Sequence, residues 1–273
     1  AFTADWAADA RRRDFTINAL YCDRDGVIHD PLGGLPDLAA GRVRFIGDPH
    51  ARIREDYLRV LRFFRFTAEY AGGVADRDGL TACNAERSGL ARLSAERVRS
   101  EILRLLTAPD ALRVITTMLH HGYLPDLLGV APNLAVLARV AGIEGLRGQT
   151  ADATLRLAGL GVIVPEDAER VGARLRFGNA EIARLRASAH WTGDTTALPM
   201  DAAVREMVYR HGRSDACDHL CLAWARSGAA LDDAAWRAAL DLSHHWQAPA
   251  FPLTGNDALA AGLVPGPVIG ATL

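Results

Sequence analysis

The stretch that decides the fold is Glu55–Phe66, EDYLRVLRFFRF, in which charged and apolar residues recur at three- and four-residue steps. Such periodicity predicts a helix, because residues three and four apart lie on one helical face. Pro49 suits a first helical turn, so the predicted helix runs over residues 48–70. Four charged side chains would wind along one side of it over about 13 Å: Asp56, Arg59, Arg62 and Arg65. By periodicity alone, the simplest interpretation is a solvated helix with i,i+3 ion pairs.

Hydrogen-bonding geometry favours a sharper hypothesis for Asp56 and Arg59. Cytosine and adenine present an amine donor beside a ring-nitrogen acceptor, which a carboxylate and a guanidinium match. Uracil and guanine present a carbonyl and a ring N–H instead, and each unpaired group costs roughly one to several kcal/mol. The pair would therefore select C and A without a nucleic-acid template. Arg62 and Arg65, further along the same side, would hold the triphosphate.

A second charged motif lies upstream, at residues 12–20, with the sequence RRDFTINAL. Its simplest interpretation is a charged helix end before a strand. The functional hypothesis places Arg13 on phosphate or sugar and Asp14 on a ribose hydroxyl. Alone the motif is weakly informative, but its order and spacing before Glu55–Arg59 make the combination specific.

Composition bounds the class of protein. The chain has 273 residues, is 49% hydrophobic and carries a formal net charge of −2, and all 31 of its basic residues are arginine. No apolar run is long enough to span a bilayer, and the N-terminal residues show no basic segment followed by an apolar one, so a secretory signal is not expected. Four cysteines without zinc-type spacing favour reduced thiols, so the sequence predicts a cytoplasmic protein with no membrane partner.

Local patterns predict a short β region followed by helices. Strands are expected at Phe15–Cys22, Val27–His29 and Gly41–Ile46, with a hairpin turn at Asp25-Gly26 and an ordered loop over residues 30–38. Further helices are predicted over residues 80–90, 94–106, 110–121, 133–141, 151–159, 165–175, 179–190, 197–211, 214–228 and 231–246. Ser94 would cap the second of these, Arg97 and Glu101 would form an i,i+4 pair, and Thr254 to Asp257 would cap a last helix. Trp191, Trp224, Trp236 and Trp246 fall at helical positions and are expected in the core.

Together these motifs resemble the class II tRNA nucleotidyltransferase and bacterial poly(A) polymerase family, the CCA-adding enzymes. Residues 12–19 are similar to the family's ribose-sensing motif, residues 30–38 to its hinge loop between head and neck, and Glu55–Arg59 to its amino-acid template. Arg62 and Arg65 match nucleotide-binding positions. The neck motif that supports the template helix is matched by Glu96, Arg97 and Glu101. Thr254–Asp257 with Gly266-Pro267 resembles the start of the tail that grips tRNA.

The resemblance implies an α+β fold, with a short β remnant of a nucleotidyltransferase head followed by a mostly α-helical neck, body and partial tail. The implied domains are head (1–47), neck (48–125), body (126–250) and tail (251–273). The implied activity is addition of CMP and AMP to tRNA 3′ ends from CTP and ATP, with the tRNA acceptor stem as partner. The implied nucleotide-binding residues are Arg13, Asp14, Asp56, Arg59, Arg62 and Arg65.

One departure from the family is expected to matter. Family members carry a Gly-Gly-x-x-x-Arg-Asp loop and an Asp-x-Asp pair upstream of the ribose motif, and those aspartates hold magnesium. Asp23-Arg24-Asp25 spells Asp-x-Asp, but Gly26 follows it, which predicts a hairpin turn. No catalytic or metal-binding residue is therefore assigned in this chain. Both chain ends look cut, Mg²⁺ would belong to the full-length enzyme, and the fragment alone is expected to be inactive.

Three alternatives stay open at this stage. A poly(A) polymerase of the same family would use ATP on many RNA ends. A non-catalytic RNA- or nucleotide-binding derivative would need no metal site. A helical scaffold with a merely solvated arginine ladder would show no preference among nucleotides. The sequence predicts no oligomeric state.

Overall fold

The protein is mainly helical, with one small antiparallel sheet among the residues that the computed structural model describes. These residues are 5–189, 200–250, 252–262 and 264–266. Several sequence predictions fall outside them: Trp191, the last residue of the 179–190 helix, the start of the 197–211 helix, and Pro267 of the tail motif. The predicted α+β class is confirmed.

The N-terminal region contains α1 (Trp6–Ala10), a 3-10 turn (Thr16–Asn18), β1 (Tyr21–Cys22), β2 (Ile28–His29) and α2 (Gly34–Ala39). The hairpin prediction is confirmed, since β1 and β2 pair in antiparallel register across the turn.

Three local predictions in this region are wrong. The strand predicted over Phe15–Cys22 is interrupted because Asn18 accepts a hydrogen bond from the Phe15 amide and folds the chain into the 3-10 turn. Only a single bridge joins Phe15 to Phe45, in place of the strand predicted over residues 41–46. The predicted loop contains α2, because the Asp30 carboxylate accepts from two amides at its start.

The predicted helix over residues 48–70 is two helices, α3 (Pro49–Glu55) and α4 (Leu58–Tyr70). Asp48 caps α3 through the amides of the next turn. Asp56 between them has an extended backbone with φ −154° and ψ 107°. Its carboxylate accepts from the Leu58 amide at 3.1 Å, so it acts as a local cap for α4. The continuous face assumed for Asp56 and the α4 arginines is therefore corrected.

Aromatic side chains form the core beneath α4. Phe63 is fully buried and stacks on Phe45 with ring centroids 5.6 Å apart, and Phe15 packs 4.9 Å from Phe45. Burying each such ring contributes about 2 kcal/mol. Phe66 on α4 is only half-buried, and the guanidinium carbon of Arg65 lies 4.5 Å from the centroid of its ring.

Eight further helices follow α4, and all except α8 appear in the predicted order. They are α5 (Arg77–Ala85), α6 (Ala95–Thr107), α7 (Ala111–His120), α8 (Tyr123–Leu128), α9 (Leu134–Leu146), α10 (Ala153–Gly161), α11 (Pro165–Leu175) and α12 (Asn179–Ala187). A 3-10 stretch, Arg87–Arg92, follows α5. The pattern missed α8, which is only six residues long and is bounded by Gly122 and Gly129 in the left-handed region.

Two compact units divide the chain, residues 1–197 with 218–233, and residues 198–217 with 234–273. The remaining helices are α13 (Asp201–His211), α14 (Arg213–Ser227), α15 (Ala234–His245) and α16 (Gly255–Ala260). Within the second unit, α13 packs on α15, and Thr254 with Asp257 forms the predicted cap of α16. The predicted domain boundaries stay a prediction. No described helix is both long and apolar enough to cross a membrane.

Candidate functional site

The two predicted motifs meet at Asp14. An amide hydrogen bond from Ile46 to the Asp14 carbonyl, 3.1 Å long, fixes its backbone. Its nearly buried carboxylate accepts from Arg59 Nε at 2.9 Å and from Arg62 Nε. One carboxylate is thus shared by two guanidinium groups on α4. Asp14, Arg59 and Arg62 are called the Asp14 cluster below.

Arg59 is held from several sides. Its Nη1 donates to the Glu55 carboxylate at 2.6 Å and to the Arg52 carbonyl at 2.7 Å, while its Nε is taken by Asp14. None of the hydrogen bonds that Arg59 makes to described residues uses Nη2. The guanidinium is therefore fixed in orientation but retains donors for another group.

Asp56 is paired with Arg97 rather than with Arg59. Arg97 Nη2 donates to its carboxylate at 2.6 Å, and each of the two side chains is at least half covered. Burial raises the pKa of Asp56, but the Arg97 hydrogen bond, the Leu58 amide and the charges of Arg97 and Arg59 outweigh burial and lower the pKa below its ordinary value. Asp56 is consequently an ionised, acceptor-only group at neutral pH.

Arg65 does not lie on the open side expected for it. Its side chain is 8% exposed, with Nε 2.6 Å from Glu101 and Nη1 2.7 Å from Glu69. Burial lowers the pKa of Arg65, and the hydrogen bonds that it donates to Glu101 and Glu69 raise its pKa by more, so it stays charged. Holding a phosphate would require Arg65 to leave two carboxylates, and that role stays a prediction.

Arg13 lies outside the Asp14 cluster. Its Nε and Nη2 donate to Asp9, which also accepts from the Tyr21 hydroxyl at 2.8 Å. These donors, Tyr21 first and then Arg12 and Arg13, lower the pKa of Asp9 to about 2. Half of the Arg13 side chain is exposed, so it is accessible, but the structure does not bring it to Asp56.

The predicted supporting motif on α6 divides into three separate contacts. Arg97 pairs with Asp56, and Glu101 pairs with Arg65 and lies 3.9 Å from Arg62. Glu96 pairs with Arg176, the residue that follows α11. The i,i+4 pair predicted between Arg97 and Glu101 is not formed, because each side chain reaches a partner on another segment.

Sequence reasoning did not include Arg52 among the candidate site residues. Its Nη2 donates to the carbonyls of Arg12 and Arg13, while its Nη1 donates to Glu55. Arg52 therefore ties the upstream motif to α3. Its spacing of three from Glu55 places both side chains on one face of α3, which is the signal that would have found this pair.

Asp37 was also missed as an organising residue. It is fully buried and accepts from the Thr16 hydroxyl at 2.6 Å and from the side chains of Arg42 and Arg44. Burial raises the pKa of Asp37, but these three donors lower it overall. The contact with Arg44 stabilises the segment that pairs with Phe15, next to Asp14.

The described residues do not fit a metal site. They contain no group of three or more His, Cys, Asp or Glu side chains arranged to hold an ion. Asp23, in the Asp-x-Asp sequence, accepts from the amides of Asp25 and Val27 and from His29, as a turn residue does. The hairpin interpretation of this sequence is thereby confirmed.

Comparisons with known proteins identify the family. The family model described as "Poly A polymerase head domain" matches residues 1–44, and that described as "Probable RNA and SrmB- binding site of polymerase A" matches residues 76–137. The mouse (Mus musculus) protein "CCA tRNA nucleotidyltransferase 1, mitochondrial" is 30% identical over 281 aligned positions, which cover 100% of this chain and 62% of the relative. The chain belongs to the family of CCA-adding enzymes and poly(A) polymerases.

Two further relatives agree with this family. The CCA-adding enzyme of Levilactobacillus brevis is 29% identical over 281 positions, covering 100% of the chain and 68% of the relative. The crystal structure of the Bacillus stearothermophilus CCA-adding enzyme in complex with CTP has a TM-score of 0.71 and 25% identity, covering 99% of this chain and 68% of that one. The chain thus spans under two thirds of the mouse relative's length. The resemblance drawn from the sequence motifs is confirmed.

Proposed function

We propose that this protein is a template-independent RNA nucleotidyltransferase that adds CMP and AMP to tRNA 3′ ends from CTP and ATP. The observation that carries the proposal is the Asp14 cluster, which joins the upstream motif to α4 beside Asp56. The mouse relative's name, a CCA tRNA nucleotidyltransferase, supports the same reaction. Attack of the RNA 3′-hydroxyl on the α-phosphate would release pyrophosphate.

Base selection would come from Asp56 and Arg59. The ionised Asp56 carboxylate accepts from the exocyclic amine of cytosine or adenine and repels the carbonyl that uracil or guanine presents there. Arg59 donates through its open Nη2 to the ring nitrogen. Because Arg97 now occupies one oxygen of Asp56, an incoming base either shares the carboxylate with Arg97 or displaces it.

Phosphate and sugar would be held next to this pair. Arg62 is 29% exposed, and none of its hydrogen bonds to described residues uses Nη2, so it is the α4 arginine best placed to reach a phosphate. Asp14 would contribute to ribose selection, and Arg13 would reach the sugar or phosphates after leaving Asp9. Arg65 would act indirectly, by holding Glu101 next to Arg62.

The wider setting is part of the same proposal. The family implies a divalent metal, which we take to be Mg²⁺ in the full-length enzyme, but the described residues offer no ligand cluster and no step is assigned to it here. The helical body would dock the tRNA acceptor stem through phosphate contacts and shape. A cytoplasmic site of action stays part of the proposal. The mouse relative does not support it, because that protein is described as mitochondrial.

Nucleotide incorporation tests the proposal. The full-length protein is given tRNA ending before CCA, with each triphosphate alone and in pairs, and products are resolved to single nucleotides. Two C residues followed by one A, lost in Asp56→Ala, are expected. A long A ladder on any RNA end would instead assign poly(A) polymerase activity. A folded protein that binds nucleotides without incorporating them would leave only the binding function.

A further inference from the structure

Tyr57 and Gly89 pack against each other unusually closely, next to Asp56. A Cβ built on Gly89 would lie 1.9 Å from both Cδ1 and Cε1 of the Tyr57 ring and 2.4 Å from Cζ. Carbon atoms in favourable contact are about 3.5–4.0 Å apart. The backbone of Gly89 is not in the left-handed region, so glycine is needed here for space and not for its conformational freedom. Any side chain at position 89 would displace the ring.

The element that contains Gly89 makes a second contact with the Tyr57 ring. The guanidinium carbon of Arg92 lies 5.5 Å from the Tyr57 ring centroid, within the range of a cation–π contact. Gly89 and Arg92 both belong to the 3-10 stretch Arg87–Arg92. The Tyr57 ring therefore packs on one short element. It contacts the backbone of Gly89 and the guanidinium of Arg92.

The Tyr57 ring is attached to the break between α3 and α4. Tyr57 directly follows Asp56 and is the N-cap residue of α4, with φ −62° and ψ −16°. The break contains neither glycine nor proline, the residues that usually interrupt a helix. The direction in which α4 leaves the break therefore depends on tertiary contacts, and two of them are attached to the break itself: the packing of the Tyr57 ring and the Asp56–Arg97 pair.

We propose that the Tyr57–Gly89 contact sets base selectivity by fixing the α3–α4 break in the geometry that aims Asp56 and Arg59 at the same base. Tyr57 is a positioning residue, since it acts through Asp56 and not on the nucleotide. The inference rests on the proposed base reading by Asp56 and Arg59. A displaced ring would move the Asp56 backbone directly, and misplacement by about 1 Å costs up to about 100-fold in precisely oriented sites.

Nucleotide dissociation constants of the 273-residue chain test this inference, measured for CTP and UTP by calorimetry. We expect Gly89→Ala to reduce the CTP-over-UTP preference about tenfold or more. Tyr57→Ala removes the ring without adding a clash and should reduce it as well. In the double variant, Gly89→Ala should add nothing, because no ring remains to be displaced.

Gly145→Ala is the matched control. Gly145 lies in α9, and a methyl group added there would meet no neighbouring atom within 4 Å, so this substitution should leave the preference unchanged. Thermal unfolding followed by circular dichroism checks that each variant is folded. If Gly89→Ala does not fold, Tyr57→Ala decides alone.

The outcomes separate the two hypotheses. A wild-type chain without preference for CTP over UTP would overturn the proposed base reading, and this inference with it. A wild-type preference that Asp56→Ala abolishes, but that folded Gly89→Ala and Tyr57→Ala both retain, would overturn the inference alone. The same holds if Gly89→Ala has its full effect in the Tyr57→Ala background.

Discussion

The Asp14 cluster and a second cluster in the helical body use the same charged groups in opposite proportions. In the body, Arg184 is shared by Asp152 and Asp218, and its Nε, Nη1 and Nη2 all donate to these two carboxylates. These three residues are called the Arg184 cluster. In the Asp14 cluster, one carboxylate is shared by two arginines, Arg59 and Arg62, and Nη2 of each has no described partner.

The comparison separates a structural arginine from one that can bind a ligand. Burial lowers the pKa of Arg184, but the hydrogen bonds that it donates to Asp218 and Asp152 raise the pKa overall, so its charge is compensated by two carboxylates. A guanidinium with every nitrogen occupied offers nothing to a nucleotide. One that is oriented by a carboxylate but keeps an open nitrogen is prepared for an anion or a base. Arginine count alone does not distinguish these cases.

The largest expected effect is on stability, in the Arg184 cluster. Arg184→Ala leaves two carboxylates without their cation, and we expect unfolding free energy to fall by about 2 kcal/mol. The figure is below that for a fully buried pair, because the cluster is partly solvated. Urea unfolding measures it, with exposed Arg210→Ala as the control. A stable variant that has lost its CTP preference would break the comparison.

The next effect is on selectivity. Asp56→Ala removes the acceptor for the exocyclic amine, and the CTP-over-UTP binding ratio should fall about tenfold, which corresponds to about 1.4 kcal/mol. Unfolding free energy should change by less than in Arg184→Ala, since Asp56 is one-third exposed. Glu206→Ala, at an exposed carboxylate of α13, serves as the control in the same titrations. An unchanged ratio would show that Asp56 does not read the base.

A smaller effect sharpens the assignment of Arg62. Arg62→Ala should weaken CTP binding several-fold, about 1 kcal/mol, because a charged contact to phosphate is lost. Binding of cytidine, which has no phosphate, should stay the same. Equilibrium titration with both ligands measures the difference, and Arg54→Ala, at an exposed arginine of α3, is the control. Equal weakening of both ligands would contradict a phosphate contact.

The smallest effect concerns Arg13, through the carboxylate that holds it. Asp9 has a pKa of about 2, so its stabilising contribution is present above the unfolded value of about 3.9 and is lost as pH falls through about 2. Tyr21→Phe removes the largest cause of the lowering and should raise the pKa of Asp9. Carboxyl NMR titration measures this, with Tyr209→Phe as the control. An ordinary Asp9 pKa in the wild-type chain would mean that Arg13 is not held there.

Sequence reasoning succeeded where the controlling interactions are local. The helix predicted over residues 165–175 is observed as Pro165–Leu175, since a proline in the first turn and a regular apolar period act within the segment. The cap at Thr254 and the turn at Gly26 are confirmed for the same reason. Sequence reasoning failed at α2. Residues 30–38 have the composition of a loop, but the Asp30 carboxylate accepts from the Gly34 amide and caps a helix there.

Within the candidate site, the motifs were identified from the sequence but their pairing was not. Arg65 was expected on the open side of the helix. The structure buries it instead, because Glu101 supplies a buried partner for the guanidinium from 36 residues away. Asp56 and Arg59 were treated as one helical face, although a break separates them. Both differences depend on contacts with α6 or the N-terminal motif, which helical periodicity does not contain.

The sequence by itself determined the family, the order of the motifs and most helices, because capping, turn chemistry and periodicity act within a few residues. Tertiary structure decided where the predicted helix breaks and which arginine nitrogens stay open. The partners that decide this are 45 residues from Arg59, 48 from Arg62 and 41 from Asp56. An ion pair requires contact at about 3 Å, and only the folded chain brings groups that far apart in sequence to that distance.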